Sequence, residues 1–263
     1  MEYYYQSFEE INVFPKTFKD LLEAPCRVIN LDRNPERWEI GEKKIKDAGF
    51  TNYKRVSAVD AKDTKQLEKG WSILGNPKFA DWDKEFKEYP GKQGCFLSHF
   101  KIWKEIIDNK IPYMVILEDD VMFHPKWKDL APEYFQNTPK NFDVLYLGAQ
   151  FEFNSKFHID IGPVFCTHAM VVTYNGAKKL WEMLLNRKLG VYTIDCMIID
   201  SMKHRLMTMN NENSLFKSNP FTWYVWNGNF YPTEIKNMPK DWTKRNSGLV
   251  FQDESFGSEV REW

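Results

Sequence analysis

The order of apolar and polar residues along the chain predicts short strands that alternate with amphipathic helices. The segment YMVILEDDVMF, residues 113–123, places three consecutive carboxylates directly after an apolar run. Val115, Ile116 and Leu117 show no alternation of apolar and polar residues, so we expect a strand covered on both faces, as in a parallel sheet. Ligand sites in open α/β sheets lie at the carboxyl ends of such strands, where the acidic triplet stands.

The three carboxylates after this strand suggest a cation site. In an extended backbone alternate side chains share a face, so Glu118 and Asp120 converge on one point while Asp119 faces away. A hard divalent cation such as Mg²⁺ or Mn²⁺ is the usual reason to hold carboxylates together, because it prefers carboxylate oxygens and substrate phosphates. A solvated acidic turn is the simpler interpretation of so short a motif.

A β-α unit is predicted near the start of the chain. CRVINL, residues 26–31, predicts a strand, and Asn34 and Pro35 are residue types that begin a helix. Gly49 supplies the end of that helix, and residues 50–59 predict a returning strand. The unit has neither G-x-G-x-x-G nor a P-loop, which disfavours a Rossmann dehydrogenase and a P-loop kinase.

Two segments read as irregular. We expect a surface arm over residues 1–24, and a long loop over residues 61–93 because glycines and prolines interrupt it. Trp71 and Trp82 in that loop either stack on a sugar or base or fill the core. If they stack on a ligand, the segment is a lid over the site.

Helices and strands alternate through the rest of the chain. Ser98 and His99 lie near the start of a predicted helix, where they face either the site or neighbouring backbone. Asp195 starts another predicted helix, where a carboxylate is a suitable N-cap. The remaining predictions are helices from Gly94, from Asn175 and over Asp195–His204, a helical or irregular segment at Pro125–Pro139, strands at Phe142–Gly148 and Phe165–Thr173, and loops near the C-terminus.

Composition excludes several classes of protein. The 263 residues suffice for one α/β domain with a sizeable core, and a net charge of −1 argues against a nucleic-acid binder. We expect no membrane span and a cytoplasmic location, because apolar runs fall far short of the roughly 20 residues a spanning helix needs and the N-terminus lacks signal-peptide features. The chain has four widely spaced cysteines without a zinc-like pattern, and we interpret them as reduced core residues: Cys26, Cys95, Cys166 and Cys196.

Seven motifs, in order, resemble glycosyltransferase family 25, which includes bacterial lipooligosaccharide galactosyltransferases and the collagen galactosyltransferases. They are VINLDRNPERWE from Val28, AVDA from Ala58, GCFLSHFKIW from Gly94, VILEDDV from Val115, DVLYLG from Asp143, THAMVVTYNGAKKL from Thr167 and VFQDESFGSEV from Val250. The resemblance implies one GT-A type α/β domain over residues 1–263, with a central, mostly parallel sheet flanked by helices. It also implies a UDP-hexose donor and a divalent metal, usually Mn²⁺.

The resemblance gives individual residues expected roles. Glu118, Asp119 and Asp120 match the family's acidic motif for metal and donor diphosphate, with Asp120 the first choice of metal ligand. His168 is an expected further metal ligand or acceptor contact, and Asp195 is the expected general base. The residues that match donor-binding positions are Asn30, Leu31, Asp32, Arg33, Arg37 and Asp60.

These expectations predict an inverting glycosyltransferase that moves galactose or glucose from a UDP-sugar to a hydroxyl of a glycan or protein acceptor. The metal bridges Asp120 and the donor diphosphate, and Asp195 takes the acceptor's proton. Glu259, where the family usually has aspartate, is the alternative base. Two other functions stay open, a non-catalytic relative that only binds a glycan or partner, and a metal-dependent hydrolase.

Overall fold

The helices and strands alternate along the chain as an α/β fold requires. The structure, a computed structural model, describes residues 11–81, 83–150, 157–159, 164–185, 190–199, 221–227, 246–253 and 255. The helices are α1 Phe18–Glu23, α2 Pro35–Ala48, α3 Thr64–Ile73, α4 Lys84–Glu88, α5 Pro90–Asp108, α6 Trp127–Gln136 and α7 Tyr174–Leu185. The strands are β1 Cys26–Asn30, β2 Tyr53–Ser57, β3 Tyr113–Glu118, β4 Val121–Phe123, β5 Val144–Gln150, β6 Phe157–Ile159, β7 Phe165–Thr173, β8 Trp223–Asn227, β9 Asn246–Gly248 and β10 Val250–Gln252.

A central sheet has the strand order β2-β1-β3-β7-β5-β8-β6, with β9 paired to β5. β1 pairs in parallel with β2 and β3, and β5 pairs in parallel with β8. β7 lies antiparallel between β3 and β5, so β1, β2, β3, β5 and β8 run in the same direction. In the part of the chain that is described, the sheet is mostly parallel, which confirms the predicted fold class.

Helices cover both faces of the sheet. Met114 and Ile116 of β3 belong to a core built with α5 and α7, whereas Val115 and Leu117 belong to a core built with α2 and α6. All four side chains are completely buried. Because each face of β3 packs against helices, the strand needs apolar residues at successive positions.

The helix after β1 begins and ends as predicted, although its cap differs. Pro35 is the first residue of α2, and Gly49 ends it with a left-handed backbone (φ 101°) that glycine adopts without strain. Asn34 occupies the N-cap position, but its side chain makes no capping hydrogen bond. Its carbonyl accepts a 3.2 Å hydrogen bond from the Asn30 side chain, which ties the start of α2 to the end of β1.

The prediction of a long loop over residues 61–93 is wrong, because the segment contains α3 and α4. Asp63 caps α3 by accepting hydrogen bonds from two backbone amides of its first turn. Trp71 is only 8% exposed and its ring meets the ring of Phe79 edge to face. Trp71 therefore fills the core and is no part of a lid, while Trp82 lies outside the described residues.

The prediction of a surface arm over residues 1–24 is wrong for its last part, and residues 1–10 lie outside the described part of the chain. A capping box starts α1. Leu21 on this helix is completely buried, and the Phe18 ring meets the Trp127 ring of α6 edge to face, with centroids 5.7 Å apart. The segment is a helix packed against α6.

The predicted starts of two helices are displaced. α5 begins at its proline, about one turn earlier than predicted. Thr173 caps α7 by accepting a 3.0 Å hydrogen bond from the backbone amide of Gly176. Asn175, the predicted cap, instead accepts a hydrogen bond from the backbone amide of Ile11 at 3.2 Å, because α7 begins one residue before it.

The C-terminal part of the chain contributes strands, where loops were predicted. β8 and β9 pair with β5, and β10 pairs antiparallel with β4. Of the helix predicted over Asp195–His204, residues 194–199 are described and helical. The remainder lies outside the described residues, as does Glu259, the alternative base. Among the helices described, none is long and apolar enough to cross a membrane.

Candidate active site

The candidate site lies where β1 and β3 end side by side. The two strands pair in parallel with Ile29 opposite Glu118, so Asn30 and the acidic turn after β3 share one edge of the sheet. β2 ends at the same edge, with Ser57 opposite Asn30. The carboxyl edge of parallel strands is where α/β folds bind ligands, and most of the predicted site residues lie there.

The guanidinium group of Arg37 bridges the two aspartates of the acidic turn. Its Nε lies 2.9 Å from Asp119 Oδ1, and one of its terminal nitrogens lies 3.2 Å from Asp120 Oδ2. Asn30 donates a 2.6 Å hydrogen bond from Nδ2 to the second oxygen of Asp119. The first turn of α2 and the end of β1 together hold the acidic turn, and one positive charge is shared between two carboxylates.

Asp120 carries a buried carboxylate oxygen, Oδ1, that has no hydrogen-bond partner among the described residues. Burial raises the pKa of Asp120 to about 8, the charge of Glu118 adds to the increase, and Arg37 opposes it. Without a cation, Asp120 is therefore mostly protonated near neutral pH. A divalent cation would satisfy Oδ1 and favour the ionised carboxylate, so these residues fit a bound metal.

Glu118 is anchored through one of its two oxygens. His99 Nε2 and the Thr167 hydroxyl each lie 3.0 Å from Glu118 Oε1, and both donate to it. The His99 side chain is completely buried, whereas that of Glu118 is 20% exposed. Burial raises the pKa of Glu118, but the hydrogen bonds from His99 and Thr167 help to hold it below its ordinary value. Glu118 is therefore ionised at neutral pH, in contrast to Asp120.

Polar contacts continue from the acidic turn to the end of β2. Arg55 donates one 2.7 Å hydrogen bond to Asn30 Oδ1 and another to Asp32 Oδ1. The Ser57 hydroxyl donates to the second oxygen of Asp32 and lowers the pKa of that carboxyl. The Asp32 side chain remains 64% exposed. Asp32 is thus a fixed and accessible carboxylate that can accept hydrogen bonds from ligand hydroxyls.

The other predicted donor-binding residues of this edge are close to each other. Arg33 Nε lies 2.9 Å from Asp60 Oδ2, and both side chains are partly exposed. Leu31 packs partly buried against the core formed with α5. The structure therefore places these residues just after the ends of β1 and β2, and their role in donor binding stays a prediction.

His168 lies next to Thr167 on β7, but its ring contacts a different element. Its Nε2 lies 3.0 Å from the carbonyl oxygen of Val250 on β10 and donates to it. Burial is the main cause that lowers the pKa of His168, so the ring is neutral. Nδ1 is buried without a partner among the described residues. His168 thus holds β10 against the sheet, and Nδ1 is the nitrogen that remains for a metal.

Asp195 lies near the acidic cluster on the α5 side of the sheet. Its Oδ1 accepts a 2.8 Å hydrogen bond from the backbone amide of Cys196 at the start of the helical residues 194–199. Burial raises the pKa of the Cys95 thiol, and the charges of Glu118, Asp195 and Asp120 raise it further. The charges of all three carboxylates therefore reach the Cys95 thiol, and Asp195 also has a capping contact.

Sequence reasoning did not single out several residues that complete the site. Lys44 Nζ lies 2.6 Å from Asp253 Oδ2, and the backbone amide of Asp253 donates to the Asp120 carbonyl at 2.5 Å. Arg55 and Ser57 carry a usable signal, because residues two apart on a strand share a face. Nothing in the sequence pattern indicates that Asp253 lies against Asp120, since this contact depends on the pairing of β10 with β4.

The sequence of the chain is similar to those of known glycosyltransferases. The chain matches the family model described as glycosyltransferase family 25 (LPS biosynthesis protein) over residues 24–198. It is 32% identical over 143 residues to procollagen galactosyltransferase 2 of Mus musculus, which covers 52% of this chain and 23% of that protein. It is 28% identical over 182 residues to a glycosyltransferase 25 family member of Aedes aegypti, which covers 64% of this chain and 30% of that protein.

A similar solved structure is that of a glycosyltransferase involved in the glycosylation of the major capsid of PBCV-1, with a TM-score of 0.42 and 10% identity, covering 87% of this chain and 91% of that chain. The chain spans less than a third of the length of either curated relative.

Proposed function

Because the chain belongs to glycosyltransferase family 25, we propose that it transfers a hexose from a UDP-sugar donor to a hydroxyl group of a glycan or protein acceptor. The observation that supports this most is the unpartnered, buried Oδ1 of Asp120 in an acidic turn at the carboxyl edge of the sheet. A nucleotide diphosphate and its cation are the ligand pair that such an edge accommodates in a GT-A type fold.

Asp120 and Glu118 would hold the divalent cation, with Mn²⁺ as our choice and His168 Nδ1 as a candidate third ligand. When bound, the cation supplies positive charge that offsets the negative charge growing on the departing diphosphate. His99 and Thr167 fix the position of Glu118 through Oε1, so the carboxylate does not have to be ordered when the ligand arrives.

The donor would lie along the edge formed by β1 and β2. Arg37 and Arg33 supply guanidinium groups that pair with phosphate oxygens, Asn30 and Asp119 hold Arg37 in place, and Asp32 accepts hydrogen bonds from the nucleoside. The remaining donor contacts in the proposal are Leu31 and Asp60.

Asp195 is the proposed general base. Its charge acts on the Cys95 thiol together with those of Glu118 and Asp120, which supports a place on the same side of the site, and it would accept the proton of the acceptor hydroxyl as that oxygen attacks the sugar carbon. A single displacement of this kind inverts the configuration at the anomeric carbon, and NMR of the product would read the configuration directly.

The nature of the sugar and the acceptor also belongs to the proposal. The relative from Mus musculus is named a procollagen galactosyltransferase, which makes UDP-galactose the first donor to test and UDP-glucose the second. A cytoplasmic location stays a prediction, to be checked by cell fractionation.

The test is the release of UDP from each donor, with and without Mn²⁺ and with and without acceptors that carry free hydroxyls. Release that requires the cation and is stimulated by an acceptor supports the transferase. Release unaffected by acceptors indicates a hydrolase, and donor binding without release indicates a binding protein. Donors can first be screened by thermal shift, because a ligand at about 100 times its dissociation constant stabilises the folded state by about 2.7 kcal/mol.

A further inference from the structure

Three side chains with metal-ligand chemistry converge on the α5 side of the acidic turn. The Cys95 sulfur, a ring nitrogen of His99 and a carboxylate oxygen of Glu118 all lie within 4.8 Å of one another. We propose that Cys95, His99 and Glu118 form a reversible binding site for Zn²⁺ that is separate from the cation site at Asp120.

The backbone brings the three ligand atoms close enough to contact one tetrahedral ion. Cys95 and His99 are four residues apart on α5, so their side chains lie on the same helix face one turn apart. Zinc bonds of about 2.0 Å to nitrogen or oxygen and about 2.3 Å to sulfur require ligand atoms roughly 3.3 to 3.6 Å apart. His99 Nε2 and Glu118 Oε1 are 3.0 Å apart, so this pair would separate by a few tenths of an ångström, and the Cys95 sulfur, within 4.8 Å of the other two ligand atoms, would move to its bonding distance as the ion binds.

The chemistry of the three ligands selects the ion. A thiolate and an imidazole favour zinc over Mg²⁺ or Mn²⁺, which prefer oxygen ligands. Three protein ligands leave the fourth position to water, as in open zinc sites. His99 has no exposed surface, and Cys95 and Glu118 are only partly exposed, with the Cys95 thiol itself buried, so the ion would enter past the 20% exposed side chain of Glu118.

Two features limit the affinity of the site. The Cys95 thiol must lose its proton, which burial and the surrounding carboxylates oppose. His99 Nδ1 is buried with no partner among the described residues, and the lack of a group that supports a ligating histidine typically costs about 10 to 100-fold in metal affinity. We therefore expect a micromolar dissociation constant, which suits a reversible site better than a structural one.

Glu118 belongs to both sites, which gives zinc binding a consequence. An ion held by Cys95 and His99 would draw the Glu118 carboxylate away from the cation at Asp120, and zinc would inhibit the Mn²⁺-supported reaction. This consequence rests on the proposed function, whereas zinc binding itself does not.

The binding test uses Co²⁺ as a spectroscopic substitute for zinc on the reduced, metal-free full chain. We expect a thiolate-to-cobalt charge-transfer band and the strong visible bands of tetrahedral Co²⁺, both lost on addition of Zn²⁺. The band should vanish in Cys95→Ser and persist in Cys166→Ser, a matched control because Cys166 is also partly exposed and precedes Thr167 on β7. If the band is lost in Cys166→Ser and retained in Cys95→Ser, the proposed site is wrong.

A second measurement needs no variant and decides the question if Cys95→Ser does not fold. X-ray absorption of zinc bound at one equivalent to the wild-type protein should show one sulfur at about 2.3 Å with nitrogen or oxygen ligands at about 2.0 Å. A shell without sulfur would overturn the proposal.

Inhibition is measured separately. The zinc inhibition constant of UDP release should rise at least tenfold in Cys95→Ser. An unchanged constant would show that zinc does not inhibit through Glu118. If no donor is turned over under any condition, the proposed function fails, while the cobalt and X-ray results still decide the zinc site.

Discussion

Asp120 is a carboxyl group whose surroundings favour the protonated form when no cation is bound. Its pKa is raised to about 8, chiefly by burial, from an ordinary value of 3.8. Because the folded protein binds this proton more tightly than the unfolded chain does, the contribution of Asp120 lowers the free energy of unfolding as pH rises from about 4 to about 8. A bound cation would reverse this, since it stabilises the ionised form.

Asp120→Asn should therefore stabilise the metal-free protein at pH 8 to 9, by about 1 to 3 kcal/mol, because asparagine carries no charge to bury. The same variant should lose most Mn²⁺ binding and UDP release, since an amide oxygen is a poor replacement for a carboxylate ligand. Urea unfolding in EDTA at several pH values gives the first result and calorimetric titration with Mn²⁺ gives the second.

The matched control is Asp47→Asn, which changes an exposed aspartate paired with Lys43 and should alter the stability by less than about 0.5 kcal/mol. Tight Mn²⁺ binding by Asp120→Asn would exclude Asp120 as the main ligand.

Asp195 makes a different prediction, because its structural and chemical roles can be separated. Asparagine caps a helix about as well as aspartate, so Asp195→Asn should keep the melting temperature and donor affinity of the wild type. The transfer rate should fall by roughly 10² to 10⁴, the usual contribution of a general base. A stable variant that retains more than about a tenth of the rate would reduce Asp195 to its capping contact.

At the scale of elements, α2 sets the position of the acidic turn. A Cβ atom added to Gly41 would lie 2.7 Å from the backbone carbonyl oxygen of Asp119, so the helix and the turn are as close as a glycine allows. Arg37 lies one turn earlier on the same helix and pairs with both aspartates. The distance between α2 and the end of β3 therefore controls whether Arg37 reaches its partners.

Gly41→Ala should destabilise the protein by about 1 to 2 kcal/mol and weaken donor binding, although alanine is the better helix former by about 1 kcal/mol. Backbone atoms cannot move aside as a side chain can, so the helix has to shift away from the turn. Thermal unfolding and titration with UDP and Mn²⁺ measure the two effects.

Gly70→Ala in α3 is the control, because the added Cβ would meet the Leu97 side chain and no backbone atom, so its loss of stability should be smaller than that of Gly41→Ala. Equal stability of both variants would show that the contact between α2 and the turn is loose.

Elements with strong local signals were predictable from the sequence and those that depend on distant contacts were not. The apolar run of β3 determines a buried strand, and the proline and glycine at the ends of α2 determine where that helix begins and ends, each through contacts within a few residues. α3 was missed because its glycine and the breakers around it resemble a loop, and only the packing of Trp71 shows that the helix is buried. The acidic triplet indicated the site, but Thr167 and Asp253 join it through β7 and β10, whose pairing no local pattern encodes.

At the scale of the whole molecule, β5 joins the two halves of the chain. It pairs with β7, β8 and β9, so strands from the C-terminal part complete a sheet that begins with β1 and β2. We propose that residues 1–263 form one domain and expect a single calorimetric transition, with equal calorimetric and van't Hoff enthalpies.

Deletion of residues 246–263 should lower the melting temperature and abolish stabilisation by Mn²⁺, because it removes β9, β10 and the amide of Asp253 that holds the Asp120 carbonyl. Deletion of residues 256–263 keeps all of these contacts and serves as the control. A chain ending at residue 245 that unfolds at the wild-type temperature and still responds to Mn²⁺ would show that β10 is dispensable.

The pairing of β10 with β4 also sets the order in which the proposed cation site is assembled during synthesis of the chain. Chains grow from the N-terminus at about 5 to 20 residues per second, so the ribosome makes the acidic turn well before the strand that closes over it. Until β10 emerges, the nascent protein lacks the backbone donor to Asp120 and the carbonyl that receives His168. We expect nascent chains that have not yet reached β10 to bind Mn²⁺ weakly or not at all, because the proposed cation site is completed only once that strand has emerged and paired.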